Sequence, residues 1–359
     1  MKSGSTLSDV ATRVDNLRRS TRDFLAKPGH LAMTVADGQP SFSLDDGGGT
    51  LDFGIQDHVH DQLATLADIP LAYYRRMKVE APELLADNAN TWLRRGDTRR
   101  MVRTIRNADE QPVVRAVLSD RYRPLDSYNL LEAVLPLLQS RGIRIESCEL
   151  TEKKLYVKAV SERTTAEVKV GETVQAGLVV TNSEVGFGAL SIQPLVWTLR
   201  CTNGMIVEDS SMRRNHVGRR HDDSGDDLQH LLTDETRAAD DKAFFLRVRD
   251  VATAALDEAV FHRHVQRLRV AAGNPITSNA LDKVVEVTAK RFGLTQDEGD
   301  GVLAHLIRGG DLSQWGLCSA ITCYSQDVAS YDRATDLERI GGRLVELPRT
   351  EWQSIASMN

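Results

Sequence analysis

The longest apolar stretch of the chain covers residues 174–199 and contains a single charged residue, Glu184. A membrane-spanning helix needs about 20 mostly apolar residues, and the Thr, Asn, Ser and Gln side chains here, with three glycines, argue against one. The pattern instead predicts two buried strands, 174–181 and 189–200. The Gly186-Phe187-Gly188 step would form the bend between them, because glycine tolerates unusual backbone angles.

Two details follow from this strand pair. Pro194 has no N–H to donate to a β-ladder, which predicts a bulge or an edge position for the second strand. The Asn203-Gly204 dipeptide suits a tight hairpin turn, with residues 205–208 returning along the sheet. The predicted hairpin therefore leads toward a basic loop at residues 213–220 (RRNHVGRR).

The pattern elsewhere predicts a mixed chain followed by a helical one. Alternating apolar positions predict strands at 99–106, 112–119, 143–150 and 154–160. Periodic apolar positions and Pro or Asp/Ser starts predict helices at 57–66, from Pro70, from Pro82 and at 127–140. Beyond residue 241 the period is helical, with a capping box at Thr295 and Glu298. We expect an α+β fold with a central, mostly antiparallel sheet and flanking helices, followed by a helical C-terminal part.

The same pattern divides the chain into four parts. Residues 1–50 read as an N-terminal arm and residues 51–215 as the α+β core. Residues 216–241 form an acidic linker or loop, since 222–241 holds eight acidic residues and one basic one. Residues 242–359 form the helical part, either as a separate domain or packed on the open face of the sheet, which needs a cover.

Composition is ordinary for a soluble protein, with 41% hydrophobic and 27% charged residues in 359. A net charge of −6 argues against nucleic-acid binding by bulk charge but leaves room for a local basic patch. Four cysteines in so long a chain do not form a disulfide framework. No apolar leader precedes the first helix. We therefore expect a cytoplasmic protein of a bacterial host cell, without membrane contact.

Residues 94–123 contain nine arginines against four acids, a local charge of +5. Arginine suits phosphate because its planar, permanently charged guanidinium donates two parallel hydrogen bonds. Alternate residues of a strand share a face, so Arg99 and Arg103 share one face while Arg100 takes the other. The region is either a phosphate-binding groove or a solvated edge strand whose arginine stems cover the core. Tyr122, between Arg121 and Arg123, is the aromatic residue best placed to stack on a base.

The loop at 213–220 forms the second basic cluster and contributes Arg213, Arg214, Arg219 and Arg220. A basic loop can follow a phosphate backbone. The alternative is a disordered, charge-balanced loop. The acidic run directly after it could also fold back over the basic cluster or pair with a neighbouring subunit.

Catalytic and metal-binding signatures are lacking in the sequence. It contains no Gly-x-Ser-x-Gly, Walker or HExxH motif and no CxxC pair, and its carboxylate runs fall in predicted loops. No cofactor is expected. An enzyme whose carboxylates are brought together only by the fold stays open as a third class of function.

Several motifs together resemble a family of phage- and plasmid-like proteins defined by a domain of unknown function, number 932. The resemblance covers roughly residues 50–350 and is specific only as a set. It rests on residues 69–77 (IPLAYYRRM), 90–93 (NTWL), 117–123 (VLSDRYR), 183–186 (SEVG), 200–204 (RCTNG) and 315–322 (WGLCSAIT). The family has no agreed activity or catalytic residues, and its association with mobile elements implies DNA handling.

We therefore expect a homo-oligomeric DNA-binding protein of a phage or mobile element that binds single- or double-stranded DNA, with annealing of single strands in recombination as one role. Its phosphate-binding residues would be the arginines named above, with Tyr122 stacking on a base. The alternative is a non-catalytic assembly or anti-defence protein of a mobile element that binds another protein through its helical part.

Overall fold

The computed structural model describes residues 1–106, 111–122, 125–207, 213–214 and 233–358. Within these residues the chain has mixed α and β content, with largely antiparallel strands and an all-helical C-terminal part. The predicted fold class is confirmed. The strands form two sheets rather than a single central one, and α5, Ser127–Ser140, lies between the two groups of strands in the sequence.

The first sheet has the strand order β1-β5-β6-β4-β3-β2. All its pairs are antiparallel except β4 with β6. Its core is shared with three helices that follow β4 in the sequence. Residues 1–50, expected as an arm, supply a helix, three of these strands and the first residue of a fourth. The strands are β1 Arg22–Ala26, β2 Leu31–Ala36, β3 Gln39–Asp45, β4 Thr50–Ile55, β5 Arg100–Arg106 and β6 Pro112–Ser119; the helices are α1 Leu7–Ser20, α2 Val59–Leu66, α3 Leu71–Glu80 and α4 Pro82–Leu93.

The second sheet has the order β11-β10-β9-β8-β7, and all its pairs are antiparallel. A two-residue strand, β12, also pairs with β10. The strand pair predicted from residues 174–199 is confirmed as β9 and β10, and every residue of β10 is buried. The strands are β7 Ile143–Leu150, β8 Leu155–Lys169, β9 Glu172–Asn182, β10 Leu190–Thr198, β11 Asn203–Ile206 and β12 Arg213–Arg214.

Two local predictions for this sheet were wrong. Asn203 and Gly204 lie inside β11, and the turn is formed by residues 199–202, where Thr202 adopts a positive φ of 48°. Pro194 is not at a bulge, because its pairing with Leu178 is in regular register, and β10 is not an edge strand, because β9 lies on one side of it and β11 and β12 on the other. Its oxygen accepts a bond from Val207 beyond the end of β11. A strand residue points its N and O to the same side, so the missing N–H faces the gap between β11 and β12.

The second sheet is covered by helices on both faces. Leu155, Val157 and Ala159 of β8 share a core with α1, α5 and α6, while Tyr156 and Lys158, on the opposite face, contact α11. The remaining C-terminal helices pack on a second core that includes Val174 and Val196 of the sheet. These helices are α6 Asp234–Ala255, α7 Glu258–Ala272, α8 Leu281–Phe292, α9 Gln296–Gly309, α10 Gln314–Tyr324, α11 Tyr331–Val345 and α12 Arg349–Ala356.

The predicted acidic linker falls partly outside the described residues, and from Asp234 the chain is helical. The capping box at Thr295 and Glu298 is present at the start of α9. Among the described residues, no helix is long and apolar enough to cross a membrane.

A buried ion pair ties α11 to the second sheet. Lys158 Nζ donates to Glu338 Oε2 over 2.6 Å, and both side chains are fully inaccessible to solvent. The ammonium also lies 4.6 Å from the centre of the Tyr331 ring. Such a pair contributes little net stability, but removing one partner leaves an uncompensated buried charge. The ion pair therefore determines the position of α11 on the sheet.

Candidate functional site

The arginines predicted on β5 do not form one exposed surface. Arg99 is exposed and Arg100 is half-buried, but Arg103 is only 2% exposed. The guanidinium of Arg103 donates to Asp23 over 2.9 Å, to Asp126 over 3.2 Å and to the main-chain oxygen of Glu184 over 3.1 Å. The expectation that Arg103 binds phosphate is therefore corrected. Its donors are engaged by groups of the protein, and burying an arginine requires such partners.

Arg115 on β6 has a similar internal role. It is 5% exposed, and its Nη1 donates to Glu184 Oε2 over 2.6 Å. The other oxygen of Glu184 accepts the Ser127 N–H over 2.6 Å. Burial raises the pKa of Glu184, but the Arg115 guanidinium and the Ser127 N–H outweigh burial and leave the pKa below its ordinary value. Glu184, the one charge of the apolar stretch, is thus a structural anchor between the two sheets.

Tyr122 is not the exposed stacking residue that the sequence predicts. Its hydroxyl donates to the main-chain oxygen of Ser183 over 2.8 Å, and its ring packs with Leu118 and Val185. Burial raises the pKa of Tyr122 to about 12. The ring is therefore part of the contact between the two sheets. Arg121 beside it is exposed, and Arg123 lies outside the described residues.

The segment after β9 joins the two sheets through main-chain contacts. Gln62 on α2 donates to the oxygen of Val185 over 2.7 Å and accepts the N–H of Val117 over 2.9 Å. Gly186 has a φ of 82°, and a Cβ there would lie 2.7 Å from Leu118 Cδ2. Only glycine therefore suits both the backbone angle and the space. The predicted bend at this glycine is confirmed, and the SEVG motif has a structural explanation.

A second concentration of cations lines a surface pocket in the C-terminal half of the chain. The pocket has a volume of about 310 Å³ and lies between α11, the end of α8 and the strands β9 and β10. Four cations and one acid, Asp336, contribute to its wall. We call this site the basic pocket; its cations are Lys154, Arg333, Arg339 and Arg343.

Two of these cations are neutralised by neighbouring acids. Arg333 donates to both oxygens of Glu298, over 2.7 and 2.6 Å. Arg339 donates to Asp336 over 3.2 Å and to Gln193 over 3.3 Å. These acids fix the guanidinium groups in place, and they leave the other two cations to set the charge of the basic pocket.

Lys154 and Arg343 have no ion-pair partner among the described residues. Burial lowers the pKa of Lys154 and the positive charge of Arg339 lowers it further, while the carboxylates of Asp336 and Asp332 offset only part of this effect. A half-buried ammonium next to other cations is favourable only if an anion compensates it. The electrostatics of the basic pocket therefore favour a bound anion.

The wall of the basic pocket also includes two aromatic residues and Ser191. Phe187 and Phe292 both line it, and the guanidinium of Arg343 lies 5.7 Å from the centre of the Phe292 ring. Ser191 is 6% exposed, and its hydroxyl makes no hydrogen bond within the described part of the chain. A buried hydroxyl without a partner is costly, and Ser191 is one of the residues that line the basic pocket.

The strand β12, where the predicted basic loop begins, lies next to the basic pocket. The backbone of Arg213 pairs with Ser191, and that of Arg214 pairs with Leu190. Since Ser191 lines the basic pocket, the basic loop starts directly beside it. Arg219 and Arg220 lie outside the described residues. The fold thus brings the start of one predicted cluster, and not the β5 arginines, to the pocket.

Sequence reasoning did not identify Lys154, Arg339 and Arg343. Lys154 is almost two hundred positions away from the two arginines, so only the fold brings them together. A partial signal was present, because Arg339 and Arg343 are four positions apart in a predicted helix and such residues share a face. No group of three or more His, Cys, Asp or Glu residues suited to a metal ion occurs in the described ranges.

A family model for the domain of unknown function DUF932 matches residues 114–342. This region is more than half of the 359 residues, and the chain therefore belongs to this family. The match includes the second sheet and nearly all of the basic pocket, whereas the motifs at 69–77 and 90–93 lie before it. No curated protein and no solved structure matches the chain.

Proposed function

We propose that this protein binds single-stranded DNA through the basic pocket and the basic loop that begins at β12. The observation that carries the proposal is a pair of cations, Lys154 and Arg343, that form no ion pair in the described part of the chain, beside the buried hydroxyl of Ser191. A phosphate fits these groups, because a lysine ammonium, a guanidinium and a hydroxyl all donate hydrogen bonds to its oxygens.

A single strand suits this site better than a duplex. A pocket of about 310 Å³ is at the small end of ligand-binding cavities and has room for one nucleotide unit. Phe187 and Phe292 can stack on a base only if that base is unpaired and turned toward the protein. The basic loop would then follow the neighbouring phosphates, as basic segments do along a nucleic-acid backbone.

The resemblance of the motif set to phage- and plasmid-like proteins supports a role in the DNA metabolism of mobile elements, including strand annealing during recombination. A net charge of −6 opposes binding by a single copy along a long strand. We therefore include homo-oligomerisation in the proposal, because it would place several basic pockets along one strand.

The direct test is a fluorescence-anisotropy titration of a labelled oligothymidylate at low salt, with the matching duplex as competitor. The pocket variant is Lys154→Ala/Arg343→Ala. The matched control is Lys27→Ala/Arg19→Ala, which removes the same two charges from exposed positions outside the basic pocket.

We expect the pocket variant to bind more weakly than the wild type and the control. The slope of log K against log salt should become less negative by about 1.4, since each lost phosphate contact on a single strand contributes about 0.7. Absence of binding by the wild-type protein at about 50 mM salt would contradict the proposal. So would equal affinities of the pocket variant and the control.

A further inference from the structure

The turn between β10 and β11 rests on the C-terminal end of α10. Gln326 Nε2 donates to the main-chain oxygen of Cys201 over 3.3 Å. The side-chain amide of Asn203 donates to the Thr322 hydroxyl. Contacts on both sides of position 323 thus bring Cys201 next to Cys323, although the two residues are far apart in the sequence.

The two thiols differ in exposure. Cys201 is exposed and Cys323 is half-buried, and the two side chains are close enough for Cys201 to influence the pKa of Cys323. Burial raises the pKa of Cys323 to about 12, and the neighbouring Cys201 adds to this effect. Because Cys201 is the exposed thiol, an oxidant reaches it first. Cys323 lies beside it with its thiol protonated.

The other two cysteines provide an internal comparison. Cys148 is buried and donates to the oxygen of Ser5 over 3.3 Å. Cys318 is buried and lies 3.5 Å from the sulfur of Met205. Neither thiol is exposed to a reagent in solution, so chemistry at the surface is confined to the Cys201–Cys323 pair.

We propose that Cys201 and Cys323 form a site of reversible oxidation, at which a hydroperoxide converts the two thiols into a disulfide. The sulfur of Cys201 attacks the peroxide, so that an S–O bond forms, the O–O bond breaks and an alcohol or water leaves. The sulfur of Cys323 then attacks the resulting sulfenic acid, so that the S–S bond forms and water leaves. Two electrons pass from the thiols to the peroxide, and a dithiol reductant reverses the change.

The disulfide would connect the β10–β11 hairpin to α10 across a large part of the chain. A crosslink over such a long loop restricts the unfolded state strongly, so the oxidised protein should unfold at a higher temperature. This effect does not depend on nucleic-acid binding, and the proposal stands independently of the proposed function.

The test treats the intact protein with a small excess of hydrogen peroxide, blocks remaining thiols under denaturing conditions, and maps the peptides by mass spectrometry without reduction. We expect a linked peptide joining Cys201 to Cys323 within one chain, unmodified Cys148 and Cys318, and full reversal by dithiothreitol. The melting temperature should rise by roughly 5 °C. Cys323→Ser is expected to trap sulfenic acid at Cys201, and Cys201→Ser should prevent the linked peptide.

Other results would overturn the proposal. One is further oxidation of Cys201 to sulfinic acid in the wild type while Cys323 stays reduced. A disulfide between two molecules, or modification of Cys148 or Cys318 before the pair, would also do so. The Cys201→Ser variant changes an exposed side chain, so its folding can be checked separately by its melting temperature.

Discussion

Two arginine-rich regions of this protein show how differently the same side chain is used. On β5 and β6, Arg103 and Arg115 are buried and each faces a carboxylate from a distant part of the chain. In the basic pocket, Lys154 and Arg343 line the surface without an acidic partner among the described residues. The density of arginines in the sequence is higher in the first region, yet the available positive charge is in the second.

The difference arises from where the acids lie. Asp23, Asp126 and Glu184 come from three separate elements and converge on β5 and β6. Two of the nine arginines in this run, Arg103 and Arg115, therefore become part of a buried ion-pair network. The functional value of a basic cluster depends on its neighbours in space, because burial makes an unpaired charge too costly to keep.

The largest expected effect concerns stability in the first region. Arg115→Met leaves Glu184 buried without its partner and should lower the free energy of unfolding by about 3–5 kcal/mol. The measurement is the midpoint of urea denaturation, with Arg94→Met at an exposed position as control. Adding Glu184→Leu to Arg115→Met should recover much of the loss. A midpoint for the single variant close to that of the wild type would mean that the pair is not buried as described.

The second effect is a dependence on pH in the same region. Burial lowers the pKa of His60 from 6.5 to about 4, and its ring is hydrogen-bonded to the Tyr74 hydroxyl over 3.0 Å. Between pH 6.5 and about pH 4, His60 takes up a proton in the unfolded chain but stays neutral in the folded protein. Its contribution to the free energy of unfolding is therefore present in full above pH 6.5 and decreases as the pH falls. From pH 7 to pH 5, His60 should contribute a loss of roughly 2 kcal/mol.

Urea denaturation at pH 7 and pH 5 measures this loss of stability. His60→Gln should remove the part of the loss that comes from His60. His58, whose pKa burial also lowers, should account for part of what remains. His262→Gln, at an exposed position, is the control. An unchanged pH dependence in His60→Gln would show that protonation of other groups governs acid sensitivity.

The third effect separates the two regions by binding. Lys154→Ala/Arg343→Ala should weaken the affinity for single-stranded DNA about tenfold, or about 1.4 kcal/mol. Arg99→Ala/Arg121→Ala, at exposed positions of the first region, should weaken it less. Anisotropy titrations at equal salt compare the two variants. If Arg99→Ala/Arg121→Ala instead weakened the affinity more, the DNA-binding surface would lie at β5 and the turn after β6.

The smallest effect is a gain in stability. Lys154→Met removes a half-buried charge that lies next to Arg339, so repulsion among the cations of the basic pocket decreases. We expect the free energy of unfolding to rise by less than about 1 kcal/mol while affinity falls. Thermal unfolding of Lys154→Met and of the wild type measures this gain in stability. A clear loss of stability would indicate that Lys154 makes a favourable contact within the folded protein.

Much of the fold could be predicted from residue patterns. Helix α5 begins and ends where its cap and glycine signals predict, and β6, β7 and the buried pair β9 and β10 follow from apolar alternation. These elements depend on local periodicity and propensity, which adjacent residues carry. The turn at Asn203 failed because tertiary packing placed this dipeptide inside a strand, where Gly204 lies close to Leu195 and Trp197.

The candidate site shows the opposite case. The sequence by itself determined many of the helices and strands, the buried strand pair and the presence of two basic clusters, because all three are properties of neighbouring residues. Only the tertiary structure decided which cations keep their charge available, since that depends on acids and hydroxyls brought together from remote positions. Lys154 meets Arg339 and Arg343 in one pocket, while Arg103 meets Asp23 and Asp126 in the interior, and no spacing along the chain distinguishes these two outcomes.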